Sequence, residues 1–147
     1  MLELLFSLSG VIFSILFSSL EIALISSNPL QINVWSKQGN RLSFLSQKII
    51  KEKEIFLFLI LLGTNVSNII ATTFATIHFL SLEWSNLSII ILISIIILIF
   101  AEILPKTFIK NHANIGLVFL SPLLIIMYYI FYPFLFIMIK LKWLEIY

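Results

Sequence analysis

Residues 87–106 read LSIIILISIIILIFAEILPK, an uncharged run from Leu87 to Ala101 that ends in Glu102, Pro105 and Lys106. The run is as apolar as a bilayer-crossing helix, and it carries the Glu102 carboxylate to a depth still below the lipid surface. An ionisable side chain there costs several kcal/mol unless it has a partner, so Glu102 is read first as a functional group.

The rest of the composition agrees with a membrane setting. Of the 147 residues, 61% are hydrophobic and only 11% charged, with a mean hydropathy of +1.13, far from soluble averages. The expected fold class is therefore an all-α integral membrane protein. The net charge of +2 comes from loop lysines. They lack the clustered, aromatic-interleaved pattern of a nucleic-acid groove, so no nucleic-acid partner is expected. Absence of cysteine excludes disulfides and thiolate metal sites.

The first span is expected at about residues 4–26; it is too long for a signal-peptide core and lacks a basic leader. Ser26-Ser27-Asn28-Pro29 should stop it, because proline disfavours helix at the residue before it. Residues 30–54 are polar and mildly amphipathic and read as two short interfacial helices with a Gly39-Asn40 turn. A second span is expected at about 55–80 and a third at about 87–103. Lys37 to Lys53 and Lys106 to Lys110 are basic, whereas the loop 81–86 carries only Glu83, which places the basic segments in the cytoplasm and the N-terminus outside. The stretch 115–142 is long enough for a fourth crossing. Lys140 and Lys142 would then be carried outside, and Pro122 and Pro133 interrupt it, so it is read as a juxtamembrane helix along the inner surface. Trp84, Trp143 and Tyr147 suit interfacial belts.

At about 1.5 Å of rise per residue, Glu102 lies about 22 Å and Ser18 about 21 Å from the outer ends of their spans. Asn65 and Asn68 lie about 15 and 20 Å from the inner end of theirs. In a core of about 30 Å, all four fall between the middle and the inner third. Three helices bringing polar oxygen to one depth suit a hard cation such as Mg²⁺, which prefers carboxylate, amide, hydroxyl and water oxygens. Other readings of these residues stand beside that one. Glu102 could pair with Lys106 one turn on, Asn65, Ser67 and Asn68 could be interhelical hydrogen-bonding glue, Glu21 could snorkel to the inner interface, and Ser14, Ser18 and Ser19 could be small packing residues. His78 and His112 look isolated.

Three motifs in order carry a resemblance. Phe17-Ser18-Ser19-Leu20-Glu21-Ile22-Ala23-Leu24, Gly63-Thr64-Asn65-Val66-Ser67-Asn68-Ile69 and Glu102-Ile103-Leu104-Pro105-Lys106-Thr107 resemble the three transmembrane-helix motifs of the CorC and cyclin M (CNNM) divalent-metal transporter family. Leu20 and Ala101 stand where that family has small residues or glycine, and Thr64 where it commonly has asparagine. The resemblance implies a homodimer with three transmembrane helices per subunit, short cytoplasmic helices and a juxtamembrane helix, in the plasma membrane. It further implies Mg²⁺ efflux with Na⁺ as a candidate coupling ion, and a metal site at Ser18, Asn65, Asn68 and Glu102. The Gly63 backbone carbonyl is a further ligand candidate, and Glu21 is expected to have a structural or gating role. The family's cytoplasmic CBS domains are not expected within these residues; regulatory domains would be separate. No HExxH, GxSxG, P-loop or dinucleotide pattern occurs, so an enzyme is not expected. The competing reading is a membrane anchor or modulatory subunit that keeps the fold without transport.

Overall fold

The computed structural model describes residues 1–144, and they are helical almost throughout. α1 spans Leu2–Ser26, α2 Pro29–Lys37, α3 Arg41–Lys51 and α4 Lys53–Ser81. α5 (Asn86–Ile96) passes through a π-helical segment, Ile97–Ile103, into α6 (Leu104–Lys110), and α7 covers Ala113–Leu144. Four segments are long and apolar enough to cross a membrane: α1, α4, α5 through α6, and residues 113–133 of α7. Tyr147 and the side chains of Lys140, Lys142 and Trp143 lie outside the described residues.

Short polar sequences set the boundaries. Asn28 is extended before Pro29, and its side chain accepts from the backbone N–H of Leu30 at 2.9 Å, so the chain leaves α1 and starts a capped α2 within three residues. Gly39 takes φ +89° at the next turn, a conformation open to glycine. Asn40 then caps α3 by accepting from Leu42 and Ser43 N–H. Ser85 caps α5 through Ser88 N–H.

The central pair is α1 against α4, antiparallel. Glu3 meets His78 at 3.5 Å, Phe6 stacks on Phe74 at 5.0 Å, the Ser7 hydroxyl donates to the Ala71 carbonyl at 3.0 Å, and Phe17 lies against Gly63. As α1 advances from Glu3 to Phe17, its partners on α4 recede from His78 to Gly63. Gly10 is where the backbones meet: a methyl group there would stand 2.6 Å from Ala71 N and 2.9 Å from the Ser67 carbonyl. Lipid offers no hydrophobic drive for helix association, so such close approach through small residues carries the packing energy.

The large side chains gather towards the other end. Phe17, Leu20, Leu24, Ile32, Ile49 and Phe56 are all buried there, with Leu117 and Leu124 of α7 closing over them. The Leu20 side chain, bulky where the resembling family has a small residue, is fully buried in this core.

Two prolines shape the remaining helices. Pro105 offers no N–H to the carbonyl of Ala101 and crowds it. The preceding turns widen, and Leu104 N–H reaches the Ile99 carbonyl five residues back. In α7, Pro122 and Pro133 do not interrupt the helix, contrary to the sequence reading. Pro122 removes the donor due to the Val118 carbonyl, and the Ser121 hydroxyl supplies one at 2.8 Å, which is how serine rescues proline inside apolar helices. Along α7, Gly116 packs against Ala23 of α1 and Tyr128 stacks on Phe56 of α4 at 5.4 Å. The α1–α4 register sets Ala23 near the Phe56 turn, so both of these α7 contacts, about 18 Å of helix apart, are made at the same end of the α1–α4 pair.

One ion pair ties α1 to α6: Lys106 Nζ is 2.9 Å from Glu21 Oε2, with side chains 34% and 19% exposed.

Gly10→Ala is expected to destabilise the fold by about 1–3 kcal/mol, because backbone and not a flexible side chain must yield; a melting curve in detergent should show a lower Tm than for Ile12→Ala, whose side chain is exposed. In a double-mutant cycle, Glu21→Gln and Lys106→Met should couple by about 0.5–3 kcal/mol, towards the lower end because Lys106 is a third exposed. Additive effects would show that the pair does not hold α6.

Candidate cation site

The face of α1 that meets α4 carries hydroxyls at Ser7, Ser14 and Ser18, two turns and then one turn apart, because residues four or seven apart share a helix face. Ser14 is fully buried, and its Oγ donates to Asn68 Oδ1 on α4 at 2.6 Å. Ser18 is also fully buried, yet its Oγ has no hydrogen-bond partner. A buried hydroxyl without a partner loses about 1–3 kcal/mol. With Ser43 of α3 it is one of two such side-chain atoms among the described residues.

On α4 the polar side chains divide into two sets. Ser67 donates back to the Gly63 carbonyl at 2.7 Å, Thr64 to Ile60 at 2.9 Å and Thr72 to Asn68 at 2.8 Å. These hydroxyls are spent on carbonyls of their own helix. Thr64, which stands where the resembling family has asparagine, belongs to this set. Asn68 faces α1 through Ser14, as just described. Asn65 does not join it inside the chain: it lies about 200° around the helix from Gly63 and is exposed. Gly63 is buried beneath the Phe17 ring, where a methyl group would stand 2.8 Å from ring carbons.

Glu102 sits in the π-helical segment, half-buried. Lys106 is turned to Glu21, so the Glu102–Lys106 pair considered from sequence does not form. Glu102 makes no hydrogen bond or ion pair with a described residue. The Glu21–Lys106 contact also fixes the register of two parallel helices. One turn back from it along α1 lies Ser18, and one turn back along the third helix lies Glu102. The layer thus holds one uncompensated carboxylate, the unpartnered Ser18 hydroxyl and the Ser14–Asn68 pair. Among the described residues there is no cluster of three or more His, Asp or Glu, so a cation here would be held mainly by neutral oxygens.

Two features were not drawn from the sequence. Ser14 was set aside as packing, although its place one turn before Ser18 and its reach to Asn68 were implicit in the antiparallel pairing. The π-helical segment has its sequence signal in Pro105, three residues after Glu102.

At the end of the bundle where α1 begins, Glu3 and His78 meet each other. His112 is exposed at the opposite end of the bundle.

The sequence is similar to known protein sequences over most of its length. The chain is similar to the UPF0053 protein of Haemophilus influenzae, 32% identical over 126 residues, which is 84% of this chain and 30% of that protein. It is also similar to the UPF0053 inner membrane protein YfjD of Escherichia coli K12, 31% identical over 94 residues, 62% of this chain and 22% of that protein. The chain therefore spans less than a third of the length of either relative. With its apolar helices and these relatives it is a multi-pass membrane protein. Residues 5–144 match the model of the cyclin M transmembrane N-terminal domain, and the chain belongs to that family.

Proposed function

We propose that this chain is the membrane domain of a divalent-cation transporter, with Mg²⁺ as cargo and efflux as its direction. The observation that carries the reading is the Ser18 hydroxyl, buried and unpartnered at the level of an uncompensated Glu102. Neither group is satisfied by the protein alone, and a hard cation satisfies both. Family membership supports metal transport as the general setting.

In this reading Ser18, Asn68 and Glu102 hold the ion, with the Gly63 carbonyl beside them. Asn65 joins from the exposed face of α4, where a second subunit of a homodimer would cover it. Glu21 is a positioning residue. By neutralising Lys106 it keeps the ammonium away from Glu102, whose charge then belongs to the cargo. A divalent ion over one carboxylate leaves a net positive charge, so the site binds without trapping, as a pathway requires. After release the carboxylate needs a proton, Na⁺ or water in place of the cargo. Na⁺ is the proposed coupling ion.

The proposed topology has three crossings, with basic α2 and α3 in the cytoplasm and the N-terminus outside, in the plasma membrane. The contacts of Gly116 with Ala23 and of Tyr128 with Phe56, both at the α2–α3 end of the α1–α4 pair, support a helix that lies along the inner surface. Alternating access then needs a helix that can shift, and the π-helical segment beside Pro105 is the place where the third helix has already left regular geometry.

The test is a Mg²⁺ titration of the purified protein in detergent, followed by thermal stability. Binding only to the folded state should raise stability by about 2.7 kcal/mol at a hundredfold excess over Kd. The shift should vanish in Glu102→Gln, fall in Ser18→Ala and Asn68→Ala, and persist in Glu83→Ala. Equal shifts in all of them would remove the site. The absence of any shift would favour the anchor or modulatory-subunit reading.

A further inference from the structure

At the end of the bundle that carries α2 and α3, two hollows share a wall. One, about 270 Å³, is lined by Ser26, Gln31, Lys110, Asn111 and His112. The other, about 660 Å³, is lined by Leu42, Val118 and Phe119 and ends at Gln38, Gly39 and Asn40. Trp35 and Ile115 line both, so a polar, basic compartment adjoins a largely apolar one. Neither lining contains an acidic residue. Lys37 and Arg41 flank the apolar groove in sequence, and no ion pair among the described residues involves them or Lys110. Phe119 is 73% exposed and Ile115 60%, large apolar surfaces beside unpaired cations.

We propose that this double hollow is a binding site for one anionic phospholipid of the inner leaflet. The phosphate sits at Lys110 and His112, and an acyl chain lies along Trp35, Ile115 and Phe119. The charge of the polar compartment matches a phosphodiester. The apolar groove needs an occupant that is hydrocarbon and covalently continuous with that anion, which a soluble phosphate is not. Basic pockets at the cytoplasmic ends of membrane helices suit such headgroups. The site lies between α2 and the start of α7, which the Asn114 side chain already bridges by donating to Gln31 at 2.5 Å and accepting from the Asn28 N–H at 2.6 Å. A bound lipid would brace the same junction. The inference rests on the proposed inward placement of α2 and α3 and is independent of the cation site.

The test uses Trp35, which borders both compartments. In a Trp84→Phe, Trp143→Phe background, Trp35 emission is measured in phosphatidylcholine vesicles holding a small, equal fraction of acyl-brominated phosphatidylglycerol or acyl-brominated phosphatidylcholine. Measurements are made at high salt, where diffuse attraction to basic surfaces is screened. Quenching by the brominated phosphatidylglycerol is expected to be several-fold stronger, and to drop to the phosphatidylcholine level in Lys110→Gln combined with Arg41→Gln. The phosphatidylcholine signal of that variant reports that it is folded and inserted. Equal quenching by the two lipids, an excess that salt removes, or an excess unchanged in the variant would overturn the proposal. Relief of quenching by soluble glycerol phosphate would assign the hollow to a free anion and overturn it as well. None of these readings involves Mg²⁺, so failure here leaves the transport reading untouched, and the reverse holds.

Discussion

At Gly10 the backbones of α1 and α4 come so close that no Cβ fits between them, and the other features of the bundle follow from that approach. It sets the antiparallel register that puts Ser14 on Asn68 and Phe17 over Gly63. A wider spacing would leave the Ser14–Asn68 hydrogen bond unmade and admit lipid between the helices. Contact area made by small residues is cheap in side-chain entropy, since glycine, alanine and serine have few or no rotamers to lose. In a solvent that does not drive apolar surfaces together, that economy decides which faces meet.

Charge is managed with equal thrift. Of the acidic groups on the spans, Glu3 meets His78 and Glu21 meets Lys106, each on another helix. Glu102 is left without a partner. Had Lys106 folded back onto Glu102, the nearest basic side chain would have silenced the carboxylate. Glu21 prevents this from a neighbouring helix, at the cost of tying α1 to α6.

Much of this was legible in the sequence. The long apolar runs gave helices, because hydropathy over such lengths has few competing explanations; α1 and α4 begin and end within two residues of the expected bounds, and the third helical segment runs on to Lys110, past the expected 103. Asn28-Pro29 and Gly39-Asn40 gave the ends of α1 and α2, because their backbone preferences are local. Spacing along a helix was also legible, since rise per residue is nearly constant, and Ser18 and Glu102 each lie about one turn back from the Glu21–Lys106 pair. Azimuth was not. Asn65 and Asn68 share a depth range, but only the packing partner decides which of them faces α1, and the chosen face follows from Gly63, Ser67 and Ala71. The choice of Glu21 by Lys106 was hidden for the same reason, as it depends on which helix stands beside α6. The prolines of α7 read as breaks because the rescuing hydroxyl of Ser121 is recognised only once the helix is seen to continue.

The unequal distribution of large and small side chains has a mechanical consequence. At the α2–α3 end, Leu20, Leu24, Phe56 and Leu117 are fully or almost fully buried and interlock three helices, so separating helices there would expose much apolar surface. At the other end, α1 and α4 meet through Ser7, Gly10 and Ala71, and an apolar hollow of about 180 Å³ remains between them and the third helix, bordered by Leu4, Leu8, Ala75, Phe79 and Ile97. Its lining offers a cation almost no oxygen, which makes it a barrier to an ion while it stays closed. Ile97, where the π-helical segment begins, is part of its wall. The polar layer therefore lies between an end filled by large side chains and an end where a hollow stands beside the third helix, and the irregular turns beside Glu102 connect the two.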